Sequence, residues 1–330
     1  MTCDPTFSAT ERARASAWKQ ATTTLPTEAK VPAAYVGTDG SLRGPKYDFC
    51  LPAEYAALTL LPEVRETALA LFAELGVPWH AGIRGGPGNH LLSSQVQCVN
   101  ALGQMVADPD RIVRAFAPIL GTAEVHQIEP GRWLTFEYIG AEDYLHEAVR
   151  GKRIRGAHCT SVDAAFVHRT QDGSRELVLL EWKYTEHYGP RTVVPAKDAV
   201  RYERYGHLLS APDGPIVTNL LPFADLLQEP LYQLVRQQLL ANELEKAGAR
   251  GADRVRVLHV LPAGNGAYHS SLHGTLAPLL GATVKEVWQQ LLRHADRFVS
   301  VDSARFLHPE ITSEHYVERY GQPLPPDAPQ

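Results

Sequence analysis

Glu176-Leu177-Val178-Leu179-Leu180-Glu181-Trp182-Lys183-Tyr184 is an apolar run that ends abruptly in two opposite charges, Glu181 and Lys183. On a strand, residues i and i+2 point to the same face. Leu177 to Leu180, apolar on both faces, read as a buried strand. A carboxylate and an ammonium therefore stand side by side where a core strand emerges. Upstream, Ser161-Val162-Asp163-Ala164-Ala165-Phe166 also reads as a strand, and Gln171-Asp172-Gly173-Ser174 between the two is a turn signal. Paired as a hairpin, the strands can bring Asp163 to Glu181. Two carboxylates and a lysine at one spot are the equipment of a metal-dependent phosphodiesterase.

The rest of the chain sets bounds on this reading. Its 330 residues suit one large domain with additions or two modest ones, with a large core, and 44% hydrophobic and 21% charged residues are an ordinary globular composition. The net charge of −5 provides no global basic field, so nucleic-acid binding needs a local patch. No run of about 18 apolar residues marks a membrane span. Met-Thr-Cys-Asp-Pro at the start lacks the pattern of a secretory signal. Cys3, Cys50, Cys98 and Cys159 are too scattered for a zinc or disulfide framework and read as reduced thiols. A cytoplasmic location is the expectation.

Order along the chain adds to this. Ser8-x-x-Glu11 looks like a capping box opening a helix at 8–20. Residues 22–52 read as loop. A helix over 62–75 ends at Gly76. Gly85-Gly86-Pro87-Gly88 lacks a following Gly-Lys-Ser/Thr and reads as a turn, not a phosphate loop. Helices at 94–106 and 109–117 precede a strand at 133–139, a charged insertion at 141–159, and the two strands already described. Pro230 opens a long helix that Gly248 closes, and 254–261 is a further strand. The order is αβββαβ. The expected organisation is an N-terminal helical and loop extension at 1–88, a core at 89–310 and a tail at 311–330, its proline-rich end disordered.

This order, with Asp163 on one strand and Glu181-x-Lys183 on the next, resembles the PD-(D/E)XK nuclease superfamily. The wider chain is similar to a family of bacterial restriction endonucleases in Tyr47-Asp48-Phe49-Cys50-Leu51-Pro52, Trp79-His80, Asn89-His90-Leu91, Ser93-Ser94-Gln95-Val96, Cys98-Val99-Asn100, Thr160-Ser161-Val162-Asp163-Ala164, Glu181-Trp182-Lys183-Tyr184-Thr185-Glu186 and Tyr232-Gln233-Leu234. Val162 departs from the proline in the superfamily's name. The resemblance implies a restriction-endonuclease-like core with a mixed central sheet. It also implies Mg²⁺-dependent cleavage of DNA, with Mn²⁺ as a substitute, in defence against foreign DNA. RNA cleavage, or a nuclease fold that binds without cutting, is the alternative; a homodimer is an open option.

Mg²⁺ takes oxygen ligands, one or two of them carboxylates. Asp163 and Glu181 would provide these, and the resemblance adds the carbonyl of Trp182. Lys183 would orient the attacking water or stabilise the transition state. Their bland alternative is an ion pair at a sheet edge. Glu137 offers a third carboxylate, or faces solvent on an edge strand. Gln95, rather than the capping Ser93 or Ser94 or Asn100, is the candidate from the first core helix to reach a metal-bound water. Gln233 and Gln237, four apart on the late helix, would touch substrate phosphate by resemblance, or simply border its apolar stripe. Arg150, Lys152, Arg153 and Arg155 would hold the DNA backbone, or form a solvated loop. His146, His158 and His168 are not spaced as ligands.

Overall fold

The computed structural model describes residues 7–189, 194–272, 274 and 276–322. A small hairpin comes first, β1 (Ala33–Val36) with β2 (Leu42–Tyr47). It lies inside the 22–52 segment expected to be loop. The main sheet contains β3 (Thr122–His126), β4 (Leu134–Tyr138), β5 (Val162–Thr170), β6 (Arg175–Trp182), β7 (Arg254–Leu261) and β8 (Phe298–Asp302). Strands β5 and β6 form the expected antiparallel hairpin, from Ala164 opposite Leu180 to Arg169 opposite Arg175. Next to it β7 runs parallel to β6, and β8 parallel to β7. On the other side β3 and β4 share one edge of β5, each antiparallel to it. The sheet is therefore mixed.

Alternation along β5 and β6 divides the apolar side chains between two layers. Ala164, Phe166, Val178, Leu180 and Trp182 pack towards the helices Ser94–Leu102 and Pro109–Leu120. Ala165, Val167, Leu177 and Leu179 pack towards the helix Leu231–Lys246, against Leu234, Val235 and Leu239. Leu177, Leu179 and Leu180 have no exposed surface, and each such burial contributes about 1.5–3 kcal/mol. A strand buried on both faces cannot change register without moving apolar groups across the sheet. The end of β6 is thereby fixed in space.

The N-terminal residues do not stand apart from this core. Trp18, Leu61, Val64, Phe72 and Trp79 belong to the same apolar cluster as Phe166 and Trp182. Ser8 lies within the helix Phe7–Ala21 and does not begin it, and Glu11 is buried, accepting a hydrogen bond from the Tyr184 hydroxyl at 2.8 Å. The segment from 311 is more than a tail. Its helix Glu314–Tyr320 buries Tyr316, Arg319 and Tyr320, and the Arg319 guanidinium lies 4.8 Å from the ring centre of Trp18. The expected disorder at 323–330 falls outside the described residues. The helix Pro62–Leu75 ends as expected at Gly76, whose φ of 64° suits a residue without a β-carbon.

Candidate active site

One step beyond the Ala164–Leu180 pair, the register sets Asp163 against Glu181. The two strand ends are cross-tied, since the Trp182 amide donates to Asp163 Oδ2 at 2.6 Å. Lys183 turns back along the same face, and its Nζ lies 2.6 Å from Glu181 Oε1. Gln233 and Gln237, one turn apart on the Leu231–Lys246 helix, reach down to this pair. Gln233 Nε2 donates to Glu181 Oε1 at 2.7 Å, and its Oε1 accepts from Lys183 Nζ at 2.6 Å. Gln237 Nε2 donates to the other oxygen of Glu181.

Glu137 comes from β4. The pairs Phe136–Ala164 and Tyr138–Val162 flank it, so it stands opposite Asp163. Its φ is +48°, a left-handed conformation that costs a non-glycine residue about 1–2 kcal/mol. The carboxylate is held by Ser161 Oγ at 2.8 Å and Gln95 Nε2 at 2.9 Å. Gln95 also accepts from the His80 amide at 2.8 Å, so one side chain ties the 78–81 loop to Glu137. Three neighbouring strands thus present Asp163, Glu181 and Glu137 to one cleft of about 620 Å³. Trp79, His80, Gln95, Lys183, Tyr188 and Gln233 also line it.

Burial pushes the Asp163 carboxyl well above its ordinary range, and the negative charges of Glu181 and Glu137 push in the same direction. Glu137 is raised chiefly by burial, with Glu181 adding to it. At Lys183 burial, the largest influence, acts to lower the value, but Glu181 together with Tyr188, Glu186 and Tyr268 more than reverses it, so the ammonium is held above its ordinary value and stays charged. Among the described residues no group of three His, Cys, Asp or Glu side chains is gathered tightly enough to hold a metal. Mg²⁺ does not require three, because one or two carboxylates with carbonyls and waters satisfy it. Asp163 and Glu181 are hard oxygen donors in a cleft with excess negative charge, which a divalent cation would offset. In that respect the residues present fit Mg²⁺.

Other expected site residues lie differently. Gln237 is 1% exposed; its Nε2 donates to Glu181 and so positions that carboxylate, while its buried Oε1 has no hydrogen-bond partner among the described residues. Asn100 is buried and holds the Leu61 amide, the Thr59 carbonyl and the Tyr320 hydroxyl. The basic run is split. Arg153 donates to the carbonyls of Ile139 and Ala141 at 2.8 and 2.9 Å. Arg155 donates to Thr135 Oγ1 at 2.9 Å and pairs with Glu129. Arg150 and Lys152 are exposed and, among the described residues, make no ion pair. His80, Ser161 and Tyr188 were not singled out from sequence. The Trp79-His80 pair and Ser161 stand there only within segments of the resemblance.

An αβββαβ core that brings a carboxylate from each of two paired strands beside a lysine two residues further on defines a restriction-endonuclease-like protein of the PD-(D/E)XK type. Within that class the chain belongs to the family described as Restriction Endonuclease associating with ARP, whose model matches residues 12–321. Membership places it among nucleases. No curated protein and no solved structure matches it. Among the described residues, no helix is long and apolar enough to cross a membrane.

Proposed function

We propose that this protein is a Mg²⁺-dependent endonuclease that hydrolyses DNA phosphodiester bonds, with Asp163, Glu181 and Lys183 as its working groups. The observation that carries the reading is the β5–β6 register, which brings Asp163 to Glu181 and Lys183 in one cleft. Asp163, Glu181 and the Trp182 carbonyl would hold the ion. When bound, Mg²⁺ lowers the pKa of a coordinated water and offsets charge on the phosphoryl oxygens. Lys183, aimed by Glu181 and Gln233, places a fixed positive charge where the phosphate gains negative charge in the transition state. Gln233 and Gln237 hold Glu181 in its working orientation, and Gln95 and Ser161 do the same for Glu137. Glu137 orients water on the near side of the cleft. A role in restriction of foreign DNA, and association with ARP, come to this chain from its family description.

The test is incubation of the purified protein with supercoiled, linear, single-stranded and modified DNA, and with RNA, in Mg²⁺, in Mn²⁺ and in EDTA. Cleavage of DNA that stops in EDTA is the expected result. Undiminished cleavage in EDTA overturns the metal reading, and exclusive cleavage of RNA overturns the substrate.

A further inference from the structure

The insertion between β4 and β5 is built as a rigid mount for exposed apolar side chains. Val149 and Lys152 exchange backbone hydrogen bonds at 3.0 and 3.1 Å, closing a two-residue turn. Its central residues, Arg150 and Gly151, have φ of 52° and 73°. This is the doubly left-handed geometry of a tight hairpin turn, and it is costly for arginine. A second turn follows directly, with Ile154 bridged to Ala157. Between and after these turns, Arg153 and Arg155 point inward and fasten the segment to the β4 region through the carbonyls of Ile139, Ala141 and Phe136. The mount touches the site itself, for a β-carbon at Gly156 would lie 3.1 Å from the Glu137 carboxyl carbon.

What this scaffold leaves exposed is specific. Val149 is 56% and Ile154 46% accessible, large values for aliphatic residues on so short a segment. The exposed cations Arg150 and Lys152 lie between them in the chain. Two apolar side chains that seek burial, with cations that suit phosphates between them, on a segment that touches the carboxylate cleft at Gly156, match an intercalating wedge. Resting on the DNA reading above, we infer that the 149–154 turn is a wedge for duplex DNA. Val149 and Ile154 enter the stack beside the scissile phosphate, and Arg150 and Lys152 hold the flanking backbone. The partner is double-stranded DNA in a deformed state, so selectivity depends on how readily a base step unstacks.

The test compares affinity in EDTA for a matched duplex and for the same duplex with a two-base mismatch, in which unstacking is already accomplished. The wild type is expected to bind the mismatched duplex about tenfold more tightly. Val149→Ser/Ile154→Ser, both at exposed positions, should keep the melting temperature and lose that ratio; Val149→Ala alone should reduce it in part. In Mg²⁺ the double variant should cut matched duplex about tenfold more slowly and recover on the mismatched one. Equal wild-type affinity for both duplexes overturns the wedge, as does a double variant that keeps the wild-type ratio. A protein that shows the ratio yet cuts no nucleic acid retains the wedge and refutes the nuclease reading.

Discussion

At one end of the β5–β6 ladder His168 faces Glu176; at the other Asp163 faces Glu181, and the two buried pairs are balanced in opposite ways. Glu176 has no exposed surface, yet Arg254 and Arg256 each donate to its Oε1 at 2.9 Å and His168 lies 3.4 Å from Oε2. Burial alone would raise this carboxyl. His168 and the arginines more than reverse that, and the value is lowered. At the cleft end three carboxylates share one lysine, and Asp163 and Glu137 are raised. The same sheet therefore has one end neutralised by its own side chains and one end left with excess negative charge. The first arrangement serves stability. The second costs stability, and in the proposed function a bound cation would offset it.

The comparison can be broken most directly at Asp163. Asp163→Asn should reduce cleavage below detection while raising the melting temperature of the metal-free protein, because it removes one of the mutually repelling charges. A melting temperature that falls instead would show that the cleft end is balanced without a cation. Lys183→Ala is the next largest effect. Cleavage should slow by roughly 10²–10³ with little change in DNA affinity, because one preorganised charge is lost from the transition state and backbone affinity comes from many contacts. The same variant should melt earlier, as Glu181 loses its counter-charge.

Glu176→Gln sharpens the other half. It leaves Arg254 and Arg256 without their carboxylate, and breaking such a buried arrangement costs about 3 kcal/mol, the low end of the usual range because Arg254 is partly exposed. Denaturant unfolding should show that loss, while the cleavage rate of the folded variant stays within about twofold of wild type. A large catalytic defect would mean that the two ends are coupled.

The smallest effect is on pH dependence. Asp163 and Glu137 have raised values in the fold, so their stabilising contribution is complete below the unfolded carboxylate range of about 4. It is lost as pH rises through the raised values. Glu176 is lowered, so its contribution is present above that range and is lost as pH falls through its folded value. The metal-free wild type should therefore lose melting temperature, by a few degrees, as pH rises above the unfolded carboxylate range and through the raised folded values, and Asp163→Asn should lose less. Saturating Mg²⁺ should flatten the wild-type curve by binding the ionised form. Identical curves for wild type and variant would remove Asp163 as the source.

Much of the fold was legible because it is local. The apolar run of β6, the Gln171–Ser174 turn and the run before it define a hairpin on pattern alone. The helix at 62–75 announces itself by periodicity and by Gly at its end, and those expected at 94–106 and 109–117 are found as Ser94–Leu102, continued by a 3-10 turn to Val106, and Pro109–Leu120. Strand β3 and strand β8 were not read. Each is only five residues long and half-covered, so neither shows enough alternation to stand out, and both are strands because a neighbour offers hydrogen bonds. The helix Pro195–Leu209 escaped for a related reason, since few of its residues are buried.

The site divides along the same line. Sequence by itself determined that Asp163, Glu181 and Lys183 stand at the ends of two core strands, because strand period and hairpin closure are properties of a short stretch of chain. Tertiary structure alone decided the rest. It turned Glu137 into the cleft through a left-handed residue that no pattern foretells. It aimed Gln233 and Gln237 at the Glu181 carboxylate, and brought His80 in from a distant loop. It also spent Arg153 and Arg155 on anchoring while leaving Arg150 and Lys152 outside. Charge and polarity are written in the sequence, but their partners are set by which surfaces pack together, and that depends on contacts between residues far apart in the chain.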